Sequence, residues 1–141
     1  MVQPPTVTGI NHLTFAVRDL DRSLAFYVEV LGLCLVARWQ GGAYLRAGAV
    51  WIALFVDDAV RSAPHPDYTH TAFGVSSAGF AELAARVLGC GAEVWQQNQS
   101  EGASLYVLDP DGHRLELHVG DLEDRVRSLR ANPPPGLQVF V

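Results

Sequence analysis

Residues 11–17 read NHLTFAV, and residues 70–75 repeat the pattern as HTAFGV. Both segments have the alternation and the β-branched or aromatic content of a strand. Each is followed by a helical pattern and then by three strand-like stretches that are separated by glycines or turn residues. One order of elements that occurs twice in a chain indicates a duplicated unit. We therefore predict two βαβββ modules, at approximately residues 9–57 and 68–120, within a single domain.

A module of this kind leaves one face of its sheet uncovered. Two modules bury these faces when they pair, within one chain or between two chains. The sequence therefore predicts the α+β class, with the cleft between curved sheets as the place for a ligand. After the second module, an amphipathic pattern that has Asp121 as its N-cap predicts a C-terminal helix at residues 121–131, followed by a proline-rich tail.

The bulk composition limits the possible partners. The chain has 141 residues, of which 49% are hydrophobic and 18% charged, as in globular proteins. Its net charge of −5 argues against nucleic-acid binding, which needs a basic face. No apolar run is long enough for a membrane span, and the N-terminus does not have the pattern of a secretory signal. Cys34 and Cys90 are too few for a disulfide framework, and we expect both to be buried in a cytoplasmic protein.

Three side chains predict a metal site. His12 and His70 occupy the same register in the two repeated strands, and Glu116 lies among leucines in the final strand, where an unpaired carboxylate is costly to bury. Two nitrogens and one oxygen with open positions suit Mn²⁺, Fe²⁺ or Zn²⁺, which can act as a Lewis acid. The alternatives are ordinary strand histidines and a glutamate that points into water.

Four motifs stand out: NHLT (11–14), DYTHTAFG (67–74), QNQSEGAS (97–104) and LDPDGHRLELHVGDL (108–122). Together they resemble the vicinal oxygen chelate superfamily. The SEGAS segment and the stretch WQGGAYL (39–45) resemble one group within it, the fosfomycin-inactivating glutathione transferases. The similarity runs from about Gly9 to Phe140. It implies a homodimer with exchanged modules, in which His12 of one chain and His70 with Glu116 of the other hold the metal.

The resemblance also implies cofactors and a reaction. Mn²⁺ is the implied activating ion, although other divalent ions are possible, and glutathione is the co-substrate whose thiolate opens the epoxide of fosfomycin. Thr14 corresponds to a hydroxyl that contacts the epoxide oxygen, and Tyr44 to a residue near the incoming thiol. The implied K⁺ loop consists of Asn98, Ser100, Glu101, Gly102 and Ser104. The implied substrate-binding residues are Trp39, Trp51, Tyr68, Gln96, Ser100, Ser104, Tyr106 and Arg125.

The sequence departs from the family pattern at Gln96, where the family has a lysine that contacts the phosphonate, and at Gln99, where it usually has a basic residue. Neutral hydrogen bonds are weaker than charge-assisted ones, so we expect phosphonate binding to lose about 1–2 kcal/mol. Other readings remain open: an epoxide hydrolase, a metal-free antibiotic-binding protein, a dioxygenase, or a transferase that uses another thiol. A hydrolase of this superfamily carries a glutamate near residues 39–44, where this chain has no carboxylate.

Overall fold

The computed structural model describes residues 2–140. They divide into two compact units, one that ends at Arg61 and one that begins at Ser62. Each unit contains one four-stranded mixed sheet and a helical segment between its first two strands. Within the described residues, no helix has the length and apolar character needed to cross a bilayer.

The first unit consists of five elements and a π-helical segment. They are β1 (His12–Val17), α1 (Leu20–Leu24), the π-helical segment Ala25–Val30, β2 (Cys34–Trp39), β3 (Gly42–Ala47) and β4 (Val50–Val56). The strand order is β1-β4-β3-β2, and β1 runs parallel to β4 while the other neighbours are antiparallel.

The second unit repeats this arrangement. Its elements are β5 (Thr71–Gly74), α2 (Phe80–Gly89), β6 (Val94–Gln96), β7 (Ser104–Leu108), β8 (Arg114–His118) and α3 (Leu122–Ala131). The strand order β5-β8-β7-β6 reproduces the first sheet, again with one parallel pair, β5 and β8. The predicted α+β class with two βαβββ modules is therefore confirmed.

The apolar spacing of Leu20, Leu24, Tyr27 and Leu31 predicts a single α-helix at residues 20–31, and the structure differs from this prediction. The helical segment changes to π-helical turns at Ala25, and the Leu31 N–H donates to the Phe26 carbonyl at 2.9 Å. Phe26 and Tyr27 are both buried, and the Tyr27 ring stacks on Phe15 with centroids 5.6 Å apart. The wider turn thus brings two consecutive aromatic side chains into the core.

The ends of the other two helices test the capping predictions. Asp121 is the N-cap of α3, as predicted, and accepts from the Asp124 N–H. The Asp124 side chain accepts in return from the Asp121 N–H, which completes a capping box. Ser76 and Ser77 before α2 predict a serine N-cap, but this prediction is wrong, because Gly79 is the N-cap. The Ser76 hydroxyl instead accepts from the Gly79 N–H at 3.0 Å and so stabilises the turn before the helix.

Strand alternation gives the first sheet two different faces. Phe15 and Val17 on β1 are buried, whereas His12 and Thr14 point to the opposite, more exposed face. Their partners across the parallel pair are Trp51 and Ala53 of β4, of which Trp51 is exposed and Ala53 is buried. The open face of the first sheet is therefore the one that carries the predicted functional side chains.

The expected burial of both cysteines is wrong in the single chain. Cys34 is exposed because it lies on edge strand β2, where every residue is exposed. Cys90 is exposed at the C-cap of α2, where its thiol donates to the Val87 carbonyl at 3.0 Å. An apolar stretch of sequence thus does not guarantee burial when its strand forms the edge of a sheet.

Candidate metal and substrate site

The clearest pair of candidate ligands is His70 and Glu116 in the second unit. His70 immediately precedes β5, and its Nε2 lies 3.0 Å from the Glu116 Oε1 on neighbouring strand β8. The His70 Nδ1 lies 2.8 Å from the Tyr68 carbonyl, which can only accept, so Nδ1 carries a hydrogen. This bond fixes the ring so that Nε2 faces a carboxylate that is only 6% exposed.

The pair fits the donor set of a divalent metal. Ligand atoms at right angles and roughly 2.1 Å from an ion are about 3.0 Å apart, which matches the observed nitrogen–oxygen distance. Two acceptors that face each other are stable only with a proton or a cation between or beside them. One nitrogen and one oxygen ligand need further ligands to complete such a site.

The third predicted ligand, His12, lies in the first unit. Its Nδ1 is 2.7 Å from the Asn11 Oδ1, and its ring stacks on Trp51 with centroids 4.2 Å apart. The structure brings His70 and Glu116 together within the second unit. Among residues 2–140, no group of three His, Cys, Asp or Glu side chains is arranged to hold a metal ion within one chain.

The second oxygen of Glu116 is also engaged. The Ser104 hydroxyl lies 2.7 Å from the Glu116 Oε2 and 2.6 Å from the His118 Nδ1. Alternation along β8 places His118 on the same face as Glu116, but the sequence pattern gives it no role. The cross-strand pairing of Ser104 with His118 explains the contact, and it requires knowledge of the register between β7 and β8.

The predicted K⁺ loop is braced by its own side chains. The Asn98 amide donates to the Gly102 carbonyl at 2.9 Å, and its oxygen accepts from the Ser100 N–H at 3.0 Å and hydroxyl at 2.9 Å. Gly102 has a φ of +74°, and a Cβ there would lie 2.6 Å from the Val119 carbonyl oxygen. The glycine is thus required both by the backbone conformation and by the close approach of the backbone just after β8.

The loop is also tied to the C-terminal helix. The Glu101 carboxylate accepts from the Arg125 Nε at 2.8 Å, and this hydrogen bond raises the pKa of the arginine above its ordinary value. The contact uses one edge of the guanidinium, which has further N–H donors on its terminal nitrogens. Arg125 and Glu101 were predicted for two different sites, and the structure places them in direct contact.

Four of the predicted substrate-binding residues line one cleft of about 610 Å³ in the second unit. Its walls are Tyr68, Gln96, Gln97, Gln99, Ser100 and Tyr106. The Gln96 amide donates to the Tyr68 hydroxyl at 2.8 Å, and no acidic side chain lines the cleft. These neutral donors suit an anionic or polar ligand, without the full positive charge that a lysine at position 96 would supply.

A tryptophan that the sequence did not single out supports this cleft. The Trp95 ring lies 5.4 Å from His70 and 5.2 Å from Tyr106, measured between centroids. Its Nε1 donates to the Leu115 carbonyl at 3.0 Å, which fixes the ring across the sheet. Trp95 thus orients both a candidate metal ligand and a residue of the cleft wall.

The remaining predicted residues lie on the open face of the first sheet. Tyr44 makes edge contacts with Trp39 and Trp51, at centroid distances of 4.8 and 5.0 Å. Thr14 is on the same face, one alternate position beyond His12. The first unit therefore supplies an aromatic surface with a histidine and a hydroxyl at its side, and the second unit supplies a carboxylate, a histidine and a polar cleft.

Comparison with known proteins identifies the family of the chain. The profile of the Glyoxalase/Bleomycin resistance protein/Dioxygenase superfamily matches residues 9–117. The chain is 50% identical to glutathione transferase FosA of Serratia marcescens over 131 residues, which cover 92% of this chain and 93% of that protein. It is 37% identical to metallothiol transferase FosB of Lysinibacillus sphaericus, over 86% of this chain and 89% of that one.

A solved structure of a relative also matches the fold. A variant of the fosfomycin resistance protein FosX of Listeria monocytogenes, in complex with Mn(II) and dihydroxypropylphosphonic acid, superposes with a TM-score of 0.73 at 26% identity. The match covers 86% of this chain and 99% of that chain. The chain belongs to the Glyoxalase/Bleomycin resistance protein/Dioxygenase superfamily, and its likeness to the fosfomycin-related thiol transferases within it is confirmed.

Proposed function

We propose that the chain is a metal-dependent transferase that adds the thiol of glutathione to the epoxide of fosfomycin and so inactivates the antibiotic. The observation that carries the proposal is the His70–Glu116 pair beside a cleft of polar donors. The 50% identity to a glutathione transferase of the FosA type supports the choice of reaction and of thiol. The neutral cleft leads us to expect weaker phosphonate binding than a lysine at position 96 would give.

The metal ligands in this proposal are His12, His70 and Glu116, and Mn²⁺ is the ion, although other divalent ions fit the same donors. A bound ion at this position would supply Lewis acidity to the oxirane oxygen. The backbone carbonyl that holds the His70 Nδ1 and the hydroxyl that holds the second Glu116 oxygen support this assignment, since both orient a ligand atom before any ion arrives.

The surrounding side chains bind and orient the reactants. Thr14 is proposed to donate to the epoxide oxygen, and Tyr44 to contact the incoming thiol. Trp39 and Trp51 exclude water from the aromatic surface, which strengthens the polar contacts at the reacting centre. The phosphonate is proposed to accept hydrogen bonds from Tyr68, Gln96, Ser100, Tyr106 and Arg125. Ser104 is proposed to contact the substrate without donating to it, because its one hydroxyl hydrogen is donated to Glu116.

K⁺ is proposed to bind in the loop formed by Asn98, Ser100, Glu101, Gly102 and Ser104. The side-chain bracing by Asn98 supports this proposal, because it gathers hydroxyl, amide and carbonyl oxygens within one short turn. A hard monovalent cation prefers such oxygen donors. The measurable consequence is a higher rate in K⁺ than in an equal concentration of tetramethylammonium, which is too large for the loop.

The active form is proposed to be a homodimer that exchanges modules. Residues 1–141 then form one vicinal oxygen chelate domain, whose modules at about 9–57 and 68–120 pair with those of the partner. Each site takes His12 from one chain and His70 with Glu116 from the other.

Complementation between two inactive variants tests the shared site. His12→Ala and Glu116→Gln chains are each expected to be inactive as homodimers. After the two are mixed and refolded together, half of the dimers are mixed, and each mixed dimer has one intact site, so about a quarter of wild-type activity should return. If the mixture stays inactive although mixed dimers are detected by native mass spectrometry, the shared site is rejected.

The reaction itself is tested by product analysis. The protein is incubated with fosfomycin, Mn²⁺ and K⁺, separately with glutathione, bacillithiol, cysteine or no thiol, and the products are identified by mass spectrometry. A glutathione adduct is the expected product. An adduct with another thiol would change the co-substrate, formation of the diol without thiol would indicate a hydrolase, and an unchanged antibiotic in all mixtures would reject the proposal.

A further inference from the structure

A chain of three polar groups leads from His118 to the candidate metal ligand Glu116. The His118 Nδ1 lies 2.6 Å from the Ser104 hydroxyl, which lies 2.7 Å from the Glu116 Oε2. The other oxygen of the same carboxylate faces His70. Both oxygens of Glu116 are therefore engaged, one toward the proposed metal position and one toward the serine.

Hydrogen counting fixes the direction of this chain. A serine hydroxyl has one hydrogen, and an ionised carboxylate can only accept. At 2.7 Å from Glu116, the Ser104 hydroxyl must donate to the carboxylate, so its oxygen is left to accept from His118. The His118 Nδ1 is 2.6 Å from this hydroxyl but 3.4 Å from the Glu116 Oε2, so its shorter contact is with the serine. The His118 Nδ1 therefore carries a hydrogen, whether or not its second nitrogen also does.

The imidazole is held in a closely fitting slot. A Cβ on Gly102 would lie 3.3 Å from the His118 Cε1, and one on Gly120 would lie 3.5 Å from its Nε2. Both glycines have positive φ values, +74° and +115°. The His118 Nε2 faces Glu101 at 3.7 Å, and the Glu101 carboxylate is itself bonded to Arg125. The ring thus connects the loop at residues 98–104 with the carboxylate on β8.

We propose that His118 is a positioning residue, which donates through Ser104 to Glu116 and holds that carboxylate in the orientation that binds the divalent ion. The inference rests on the metal site proposed above and adds to it a residue that contacts neither the ion nor the substrate. Outer hydrogen bonds of this kind typically change metal affinity by about 10- to 100-fold when they are removed.

Three substitutions at position 118 separate positioning from packing. His118→Asn keeps an N–H donor at the place of Nδ1, whereas His118→Gln carries the same amide one methylene further out, near the place of Nε2. His118→Phe fills the slot with a ring that has no donor. The dissociation constant for Mn²⁺ is measured by electron paramagnetic resonance of the free ion at fixed K⁺, and the thermal midpoint of each variant is recorded.

We expect His118→Phe and His118→Gln to bind Mn²⁺ at least about tenfold more weakly than the wild type, with the Asn variant close to wild type. Ser104→Ala should weaken binding to a similar extent, and the double variant Ser104→Ala/His118→Phe should be no weaker than either single one, because both interrupt one chain. The comparison of Asn with Gln retains its meaning even if the Phe variant does not fold.

The possible failures are distinguishable. If Asn and Gln bind Mn²⁺ equally well, or if a folded Phe variant binds like the wild type, the positioning role of His118 is rejected while the metal site stands. If the wild-type protein binds no Mn²⁺ or other divalent ion, the metal site itself is rejected and the role of His118 falls with it.

Discussion

Replacement of Gln96 by lysine tests the chemistry of the polar cleft most directly. The Gln96 amide lies in the cleft wall and donates to the Tyr68 hydroxyl at 2.8 Å. A lysine at this position can reach the same hydroxyl and also present a full positive charge to a phosphonate. Because the cleft is open to water and already polar, the ammonium group loses little hydration on the free enzyme.

The size of the effect follows from the two kinds of hydrogen bond. A bond to a charged group contributes about 1.5–3 kcal/mol, against about 0.5–1.5 kcal/mol for a neutral one. The difference of about 1–2 kcal/mol corresponds to a rise of roughly five- to thirtyfold in kcat/KM for fosfomycin. The assay is steady-state formation of the glutathione adduct at saturating glutathione and Mn²⁺, with fosfomycin varied.

Two further variants serve as controls for this measurement. Gln96→Met keeps the length of the side chain without a donor, so kcat/KM should fall below that of the wild type. Gln138→Lys adds the same charge at an exposed position outside the cleft and should change the rate little. If Gln96→Lys leaves kcat/KM unchanged or lowers it, or if Gln138→Lys raises it equally, the phosphonate does not bind beside Gln96.

Three other predictions follow from single contacts. His12→Ala should abolish adduct formation and leave a folded dimer by size-exclusion chromatography; retained activity would remove His12 from the ligand set. The hydrogen bond from the Asp121 N–H lowers the pKa of Asp124 below its ordinary value of 3.8. This hydrogen bond therefore stabilises α3 fully at a pH above 3.8, and the stabilisation is lost as the pH falls through the lowered pKa. Circular dichroism of the wild type should therefore show a loss of helix in acid. The Asp124→Asn variant should have less helix already at neutral pH and should lose no more of it in acid. Gly42→Ala would place a Cβ 2.4 Å from the Leu54 carbonyl oxygen, so urea unfolding should show a loss of about 1–3 kcal/mol, and an unchanged midpoint would contradict the clash.

The features that the sequence predicted correctly depend on local pattern. The duplicated strand–helix–strand order is visible because each element carries its own periodicity and its own glycine or aspartate boundary. The turn between β7 and β8 is an example: the Gly112 N–H donates to the Asp109 carbonyl at 3.0 Å, as expected for an Asp-Pro-Asp-Gly sequence. The cap at Asp121 is another local signal that needs no knowledge of the rest of the fold.

The features that the sequence did not reveal depend on contacts between distant segments. The contacts of Trp95 with Leu115 and of His118 with Ser104 form only when neighbouring strands of the second sheet are in place. The Glu101–Arg125 pair joins a loop to a helix 24 positions later, and neither residue has a pattern that indicates its partner. Exposure of Cys34 depends on β2 being at the sheet edge, which its apolar composition does not predict.

The positions of the three tryptophans make the intrinsic fluorescence of the protein a measure of water exclusion from the first sheet. Trp39 and Trp51 are 39% and 38% exposed on the open face of the first sheet, whereas Trp95 is held by the Leu115 carbonyl in the second unit. Indole emission shifts to the blue and changes in intensity when water leaves its surroundings. A Trp95→Phe variant would emit only from the two open-face indoles, so fluorescence could follow the covering of that face in real time without any attached dye.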